Sequence, residues 1–527
     1  MSPARSNVAV RQKQIGPAMA LLAKEWVLLE KVAKQDWPER PKQEEPPVSQ
    51  VEIARMQTVL ARQRASFTAA MPEAMSVRRD RIDRAIALLV EHKDSFAKAV
   101  SADFGHRSTE QTLMTDIMPS VGALKHAKKH FEAWSRDEKR KAMFPLGLIG
   151  AKAKVVYQPK GVVGVIAPWN FPIGMVMVPM AGILAAGNRA MIKPSEFTER
   201  VADLFAELVP QYFVEEEMAV FTGGVEVGTE FSKLAFDHLI FTGATSVGKH
   251  IMRAAAENLV PVTLELGGKS PTFVGRSADK KKSGERIAMG KMMNAGQICL
   301  APDYLLVPRD QEDEVIGAVI KGVSTMYPSL LANDDYTSVV NGRNYERLKG
   351  YLDDAKAKGA ELIEVNPAGE DFASSNGNKM PLTILRGVND DMKVMQEEIF
   401  GPLLPVRTYD TIDEAIDYVN AHDRPLGLYY FGRGLGRGAE GAGPHDLRRG
   451  HGQRRACSTT PWRTCRSAAS GLRAWATITG RTASRPSATP ARSIARAGWM
   501  SARCPASSRP MARKRRRHSG ANWVNRH

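Results

Sequence analysis

A chain of 527 residues can bury a large core and should fold as two or more domains, and its aromatic share of 7% and charged share of 25% are ordinary for a soluble globular enzyme. The net charge of +17 by itself suggests a nucleic-acid or membrane partner. Its distribution removes that suggestion: residues 433–527 hold 20 Arg and one Lys against Glu440 and Asp446, a charge of +19, which leaves −2 for the remainder.

Cysteine divides in the same way. Cys457, Cys465 and Cys504 lie in the tail and Cys299 stands alone in the body, so no internal disulfide is expected there and a reducing, cytoplasmic compartment is. The longest apolar run, Ile173 to Gly187, is shorter than the roughly 20 residues a membrane span needs and contains Pro179. Lys24 and Glu25 interrupt the apolar residues Ala18 to Leu29, which argues against a signal peptide.

In chain order, residues 1–55 read as an extension: an amphipathic stretch from Ala18 to Val32, then a Pro-, Lys- and Glu-rich linker from Pro38 to Pro47. Met56 opens a helical pattern. From Gly161 short apolar runs alternate with helical stretches. Val162–Ala167, Ala190–Lys193, Met218–Thr222, Leu239–Thr242 and Val262–Leu264 read as strands, with helices such as Arg200–Tyr212 and Ser246–Asn258 between them. That rhythm predicts an α/β fold with a doubly wound parallel sheet. A further α/β region follows from Pro271 to Phe431, with strands at Tyr304–Val307 and Leu403–Tyr409 and helices at Gln311–Gly322, Asn344–Lys358 and Thr411–Asn420.

The chemistry is concentrated in a few short motifs. Asn294-Ala295-Gly296-Gln297-Ile298-Cys299 presents a thiol after a small, Gly-containing segment that a ligand can approach, and a thiolate forms covalent intermediates with carbonyl carbons. A single cysteine is more often buried filler, so context decides. Thr263-Leu264-Glu265-Leu266-Gly267-Gly268-Lys269 sets a carboxylate at the carboxyl edge of the sheet, suited to general-base work or, alternatively, to a surface turn. In Pro168-Trp169-Asn170-Phe171-Pro172, two prolines stiffen a turn whose Asn amide could donate to an oxyanion; a purely structural turn is the alternative.

Cofactor signals are individually weaker. Phe241-Thr242-Gly243-Ala244-Thr245-Ser246-Val247-Gly248 is a strand, glycine turn and helix start able to receive a pyrophosphate, though it is not GxGxxG. Lys193 and Glu196, in Lys193-Pro194-Ser195-Glu196, could bond ribose hydroxyls. Glu398 and Phe400, in Glu397-Glu398-Ile399-Phe400-Gly401-Pro402, offer a second ribose ligand and an aromatic for a nicotinamide, or simply a solvated charge pair.

Together these motifs closely resemble the aldehyde dehydrogenase superfamily over roughly residues 56–431. Asp103-Phe104-Gly105 and Asp303-Tyr304 after Pro302 are most similar to the branch of class 3 (fatty and aromatic) and coniferyl aldehyde enzymes. The resemblance implies a Rossmann-like NAD(P)-binding domain from 56–140 and 159–262, an oligomerisation hairpin at 141–158 and a catalytic domain at 263–431. It makes Cys299 the nucleophile, Glu265 the general base and Asn170 an oxyanion donor, with Lys193, Glu196, Gly243, Ser246, Glu398 and Phe400 on the cofactor and no metal. The implied reaction is oxidation of an aromatic, phenylpropenal or medium-chain aliphatic aldehyde by a homodimer. Because the Glu196 carboxylate against a ribose would repel a 2′-phosphate, NAD is expected, with NADP possible if that side chain swings aside. The alternative is a coenzyme A-acylating enzyme, disfavoured by Glu265 as hydrolytic base.

Past Phe431 the resemblance stops. The family's Thr-Ser-Gly-Gly-Val-Thr-Val-Asn-Asp and Leu-Pro-Phe-Gly-Gly-Val-Gly-x-Ser-Gly-Met-Gly segments are missing. Yet the second, back-translated in GC-rich codons and read one nucleotide late, gives Cys465 to Ala476, and the first, in the remaining frame, gives Leu447 to Arg455. Two frameshifts are therefore expected, one near Gly432 and one between Ala456 and Thr464, leaving 432–527 a disordered basic tail. One open frame in the gene should restore both segments. The run Arg513 to Arg517 would otherwise suggest nucleic-acid binding, but an out-of-frame tail was not selected to bind anything. Without the missing segment the sequence as given is expected to be poorly soluble or inactive, and its in-frame parent an active dimer.

Overall fold

Residues 50–375 and 377–432 are described by the computed structural model. The helical pattern expected from Met56 begins earlier, at Gln50, and runs to Ala70. Helices Met75–Glu91, Lys93–Phe104 and Met118–Trp134 follow. A hairpin comes next, its strands β1 (Glu138–Arg140) and β2 (Ala153–Val155) paired antiparallel. The pairing starts outside the expected range of 141–158, because the charged residues Glu138 to Arg140 form the first strand and the apolar residues after them lie in the connection. Met143, Phe144, Leu148 and Ile149 there are each at least 76% exposed.

The apolar runs of the middle of the chain are the strands β3 (Val162–Ile166), β4 (Arg189–Lys193), β5 (Met218–Val220), β6 (His238–Gly243) and β7 (Val262–Leu266). They form one sheet in the order β5-β4-β3-β6-β7 with every pairing parallel. The order reverses direction at β3, and in such sheets ligands bind beyond the carboxyl ends of the strands at that reversal. Helix Gly174–Ala186 carries most of the apolar run once considered as a span. It is buried nearly all round, with Met177, Met180, Ile183 and Leu184 at 1% exposure or less, and each such side chain contributes about 1.5–3 kcal/mol of burial energy. Gly187 ends it in the left-handed conformation, φ 84°. Among the described residues no helix is long and apolar enough to cross a membrane.

A second sheet is built from β8 (Pro271–Val274), β9 (Tyr304–Pro308), β10 (Glu361–Val365), β11 (Leu382–Arg386), β12 (Leu403–Tyr409) and β13 (Tyr429–Phe431), in the order β10-β11-β12-β9-β8-β13. Only β10 runs antiparallel to its neighbour. Side chains alternate across a strand, and on β9 this sends Tyr304 and Leu306 into one apolar cluster and Leu305 and Val307 into another, so the sheet is buried on both faces. Helices Lys280–Met292 and Glu312–Met326 cover one face, and Gly342–Ala357 and Ile412–Asn420 supply Leu348, Tyr351, Ala415 and Ile416 to the other. The architecture is the doubly wound α/β arrangement with a second α/β sheet that the sequence implies. Apart from Gly432, the tail expected over 432–527 lies outside the described residues, as do residues 1–49.

Candidate active site

Five loops leave the carboxyl edge of the first sheet, and those after β3, β4, β6 and β7 each carry one of the sequence motifs. After β3, the Pro168–Pro172 turn buries Asn170. The Asn170 carbonyl accepts from Arg107 Nη1 at 3.0 Å and from Asn294 Nδ2 at 3.1 Å, while its own Nδ2 donates to the Gln297 carbonyl at 3.0 Å. Trp169 packs against Phe104 on one side and edge-on against Phe400 on the other, with centroids 6.0 and 5.3 Å away. Glu265 sits near the end of β7, opposite Thr242 on β6. As the edge strand, β7 is partly exposed at every residue.

Cys299 comes from the second half. Helix Lys280–Met292, capped by the Asp279 carboxylate on the Lys282 N–H at 3.1 Å, runs into a tight turn. There Asn294, Ala295 and Gly296 take φ of 52°, 50° and 73°, all left-handed. Glycine is required at the third position, because a Cβ there would collide with the Gly401 carbonyl. Gln297 is fully buried and fixes the turn: Nε2 donates to the Asn294 and Ser338 carbonyls at 2.9 and 3.0 Å, and Oε1 accepts from the Val340 N–H at 3.0 Å.

Asn170, Glu265, Cys299, Gly243, Ser246, Glu398 and Phe400 all line one cleft of about 2460 Å³. Lys193 and Glu196 are not among its lining residues, although the next residue, Phe197, is. Lys193 is buried at the end of β4, where Nζ donates to the Pro194 carbonyl at 2.7 Å and lies 3.6 Å from Glu196 Oε2. Burial lowers its pKa and the Glu196 charge partly restores it.

The electrostatics of the cleft floor favour neutral groups. Burial pushes the Cys299 thiol up to about 12, and the negative fields of Glu398 and Glu265 push in the same direction. The Glu398 carboxyl is raised to about 7 by burial and by Asp303, against a backbone hydrogen bond from Gly268 and the charges of Lys269 and Arg347. Its carboxylate lies where a side chain on Gly267 would have to go, so that position must be glycine while Glu398 is drawn back against the turn. A cysteine this uncharged needs a base or a bound cation before it attacks.

The cleft also suits a dinucleotide. The 13-residue helix Thr245–Glu257 begins on its wall, its N-cap Ala244 supplies no side-chain cap, and Thr245, Ser246 and Val247 face the cleft. Unsatisfied amides at a helix start bind phosphate oxygens. At Gly243 a Cβ would meet the Phe241 ring at 2.6 Å, which keeps the approach to those amides clear. Among the described residues no group of three or more His, Cys, Asp or Glu is arranged to hold a metal ion.

Several residues that shape the site carry no signal in the sequence. Arg107 and Asp116 form a fully buried ion pair at 2.6 Å behind Asn170. Lys269 bonds Asp303 and the Val394 and Glu397 carbonyls, and Asp303 Oδ1 accepts from the Ile399 N–H at 2.9 Å, so this pair clamps the Glu397–Phe400 segment. Lys291 is fully buried with no hydrogen-bond partner for Nζ among the described residues, and burial lowers it to about 8. Lys269 and Asp303 stand in quoted motifs that gave them no role, and Lys291, a charge among the apolar residues of a helix not read from the sequence, could have been marked only once that helix was known.

Comparison with known proteins agrees with this geometry. Residues 44–441 match the aldehyde dehydrogenase family. The chain is 56% identical over 380 residues to a probable coniferyl aldehyde dehydrogenase of Caulobacter vibrioides, covering 72% of this chain and 78% of that one. It is 55% identical over 361 residues to a coniferyl aldehyde dehydrogenase of a Pseudomonas species, covering 68% and 74%. A solved indole-3-acetaldehyde dehydrogenase of P. syringae, in complex with NAD+ and IAA, superimposes with a TM-score of 0.66 at 27% identity, covering 73% of this chain and 77% of that one. With a nucleophile motif, a sheet-edge glutamate and an uncapped helix start around one cleft, and with relatives of this identity, the chain belongs to the aldehyde dehydrogenase family.

Proposed function

We propose that this protein oxidises an aromatic or phenylpropenal aldehyde to the carboxylic acid with NAD(P), NAD being preferred, and that its in-frame parent does so as a dimer paired through the strand of the missing segment, alongside the hairpin expected at 141–158, whose strands are Glu138–Arg140 and Ala153–Val155. The observation that carries the reading is that Cys299, Glu265 and Asn170 border the same cleft as the uncapped start of helix Thr245–Glu257. The names of the coniferyl aldehyde relatives support the substrate class. In domain terms, 56–140 with 159–262 would hold the cofactor and 263–431 the nucleophile.

In this mechanism the Cys299 thiol gives its proton to Glu265, which passes it to solvent, as Sγ adds to the carbonyl carbon, forming a C–S bond and an oxyanion. Asn170 Nδ2 has one hydrogen on the Gln297 carbonyl and a second free to meet that oxyanion. Nicotinamide dinucleotide, when bound, supplies the hydride acceptor; the amides of Thr245 to Val247 would hold its phosphates, with Lys193, Glu196 and Glu398 on its riboses and Phe400 beside its ring. Glu265 then takes a proton from water, whose oxygen attacks the thioester carbon, the C–S bond breaks and the acid leaves.

The test is reduction of NAD+ by a phenylpropenal aldehyde, assayed with the full chain and with a frame-restored chain, beside Cys299→Ala in each. Formation of reduced cofactor and free acid that vanishes in Cys299→Ala is expected from the frame-restored chain. No cofactor reduction from either chain, or reduction that survives Cys299→Ala, would overturn the assignment.

A further inference from the structure

The turn that leads to Cys299 holds Asn294 and Ala295 in a left-handed backbone, which is unfavourable for residues with side chains and persists only where neighbours enforce it. The enforcing contacts on Asn294 come from two glutamines. Gln297 secures its carbonyl. Gln111, more than a hundred residues away in the chain, secures the rest: its Oε1 accepts from the Asn294 N–H at 3.2 Å and its Nε2 donates to Asn294 Oδ1 at 3.0 Å. Thr337 Oγ1 donates to the same Gln111 oxygen at 3.2 Å, and Ser108 Oγ caps the short helix that carries Gln111 at 3.2 Å.

This amide pair has a direction. With Oδ1 committed to Gln111, the Asn294 Nδ2 must point the other way, and it donates to the Asn170 carbonyl at 3.1 Å and the Gln297 carbonyl at 3.2 Å. The Gln297 carbonyl is also the acceptor that orients Asn170 Nδ2. Reverse the Asn294 amide and both acceptors lose a donor and meet an oxygen instead. Gln111 leads directly into the π-helical turn Leu113–Ile117, whose Met114 and Thr115 line the cleft. Such turns inside helices recur at functional sites.

We propose that Gln111 is a positioning residue: it locks the left-handed Asn294–Gly296 turn and, through the Asn294 amide, sets the direction of the Asn170 amide and the seat of the Cys299 thiol. This rests on Cys299 being the nucleophile, and its test is read on the thiol itself, so that failure of the dehydrogenase reading is seen separately, as absent cofactor reduction.

Two substitutions make the test. Gln111→Leu keeps the approximate shape and loses both bonds at every pH. Gln111→Glu keeps them only when protonated, because a neutral carboxyl can donate to Asn294 Oδ1 and accept from the Asn294 N–H, whereas a carboxylate has no donor. The side chain titrates from about 4.3 upward, and the need for a donor raises it further. The rate of Cys299 alkylation by iodoacetamide, mapped by peptide mass spectrometry so that the tail cysteines do not count, is compared with the parent chain between about pH 5 and 8.

Loosening the turn lets the half-buried Cys299 leave its seat in the cleft wall for fuller contact with water, so Gln111→Leu is expected to alkylate at least about fivefold faster than the parent at all pH values. In the frame-restored chain kcat should fall about tenfold or more with KM little changed. Gln111→Glu is expected to match the parent near pH 5 and to approach Gln111→Leu as pH rises through its titration. The other charged and titratable groups around this position, His106, Glu110, Asp335 and the Arg107–Asp116 pair, are the same in the parent and in both variants. If Gln111→Leu does not fold, the titration of Gln111→Glu alone decides. A rate ratio for Gln111→Glu that is flat with pH, or a lower melting temperature without change in alkylation, overturns the proposal.

Discussion

Replacing Asp116 by alanine should unfold this protein far more readily than any surface change. The Arg107 and Asp116 side chains are both 0% exposed, and the Asp116 carboxylate takes Arg107 Nη2 at 2.6 Å on one oxygen and the Ile173 and Gly174 N–H groups at 3.2 and 2.8 Å on the other. Burial alone pulls the Arg107 pKa down and the Asp116 pKa up, and each is partly restored by the other's charge. Truncation therefore strands a guanidinium in the core, which costs about 3–5 kcal/mol, and orphans two amides at the start of helix Gly174–Ala186, which adds about 1–3 kcal/mol. Arg107→Met with Asp116→Leu removes both charges and should cost less than Asp116→Ala by itself, since apolar replacement of a buried pair is often close to neutral. Urea unfolding followed by tryptophan fluorescence measures all three chains. An Asp116→Ala chain within about 1 kcal/mol of the parent, or a double variant weaker than the single one, would refute the reasoning.

Two further outcomes follow from the site. With the Cys299 thiol held up at about 12 and its deprotonated form the reactive one, alkylation without cofactor should rise about tenfold per pH unit from about pH 7 to 10 with no plateau. Glu398→Gln removes a negative neighbour, lowers that pKa and should speed the reaction at every pH in the range; a plateau near pH 8, or slower reaction in the variant, would contradict this. Gly296→Ala puts a side chain at φ 73° and against the Gly401 carbonyl. It should cost about 1–3 kcal/mol of stability and cut kcat of the frame-restored chain about a hundredfold by displacing Cys299, as read by thermal melts and steady-state rates.

What could be read in the sequence was whatever is local. The runs that became β3, β6 and β12 are apolar enough to declare themselves, and β12 has the expected bounds, Leu403 to Tyr409. Cys299, Glu265 and Asn170 each sit in a short motif whose neighbours state the chemistry. Elements without such local character were missed: β8 begins with a proline and has four residues, β13 has three, and β10 is an antiparallel edge whose short apolar content is broken by Glu361 and Glu364. The supporting charges were illegible for another reason. Whether Arg107 or Lys269 is buried depends on a carbonyl or carboxylate distant in the chain, such as Asn170 or Asp303, and no spacing within the sequence encodes that contact. The hairpin was expected only from the family resemblance, at 141–158, and its first strand, the charged Glu138–Arg140, has no apolar pattern that would have moved that bound to where the pairing starts.

The uncharged state of Cys299 bears on how the protein survives between turnovers. A thiol pushed up this far by burial and by two neighbouring carboxylates is far less ionised near neutral pH than a free cysteine. Peroxides react with the thiolate, so the same burial that would hold back Cys299 in the proposed attack on an aldehyde also shields its sulfur from sulfenic acid formation. The protein should lose its thiol to hydrogen peroxide more slowly at rest than during catalysis.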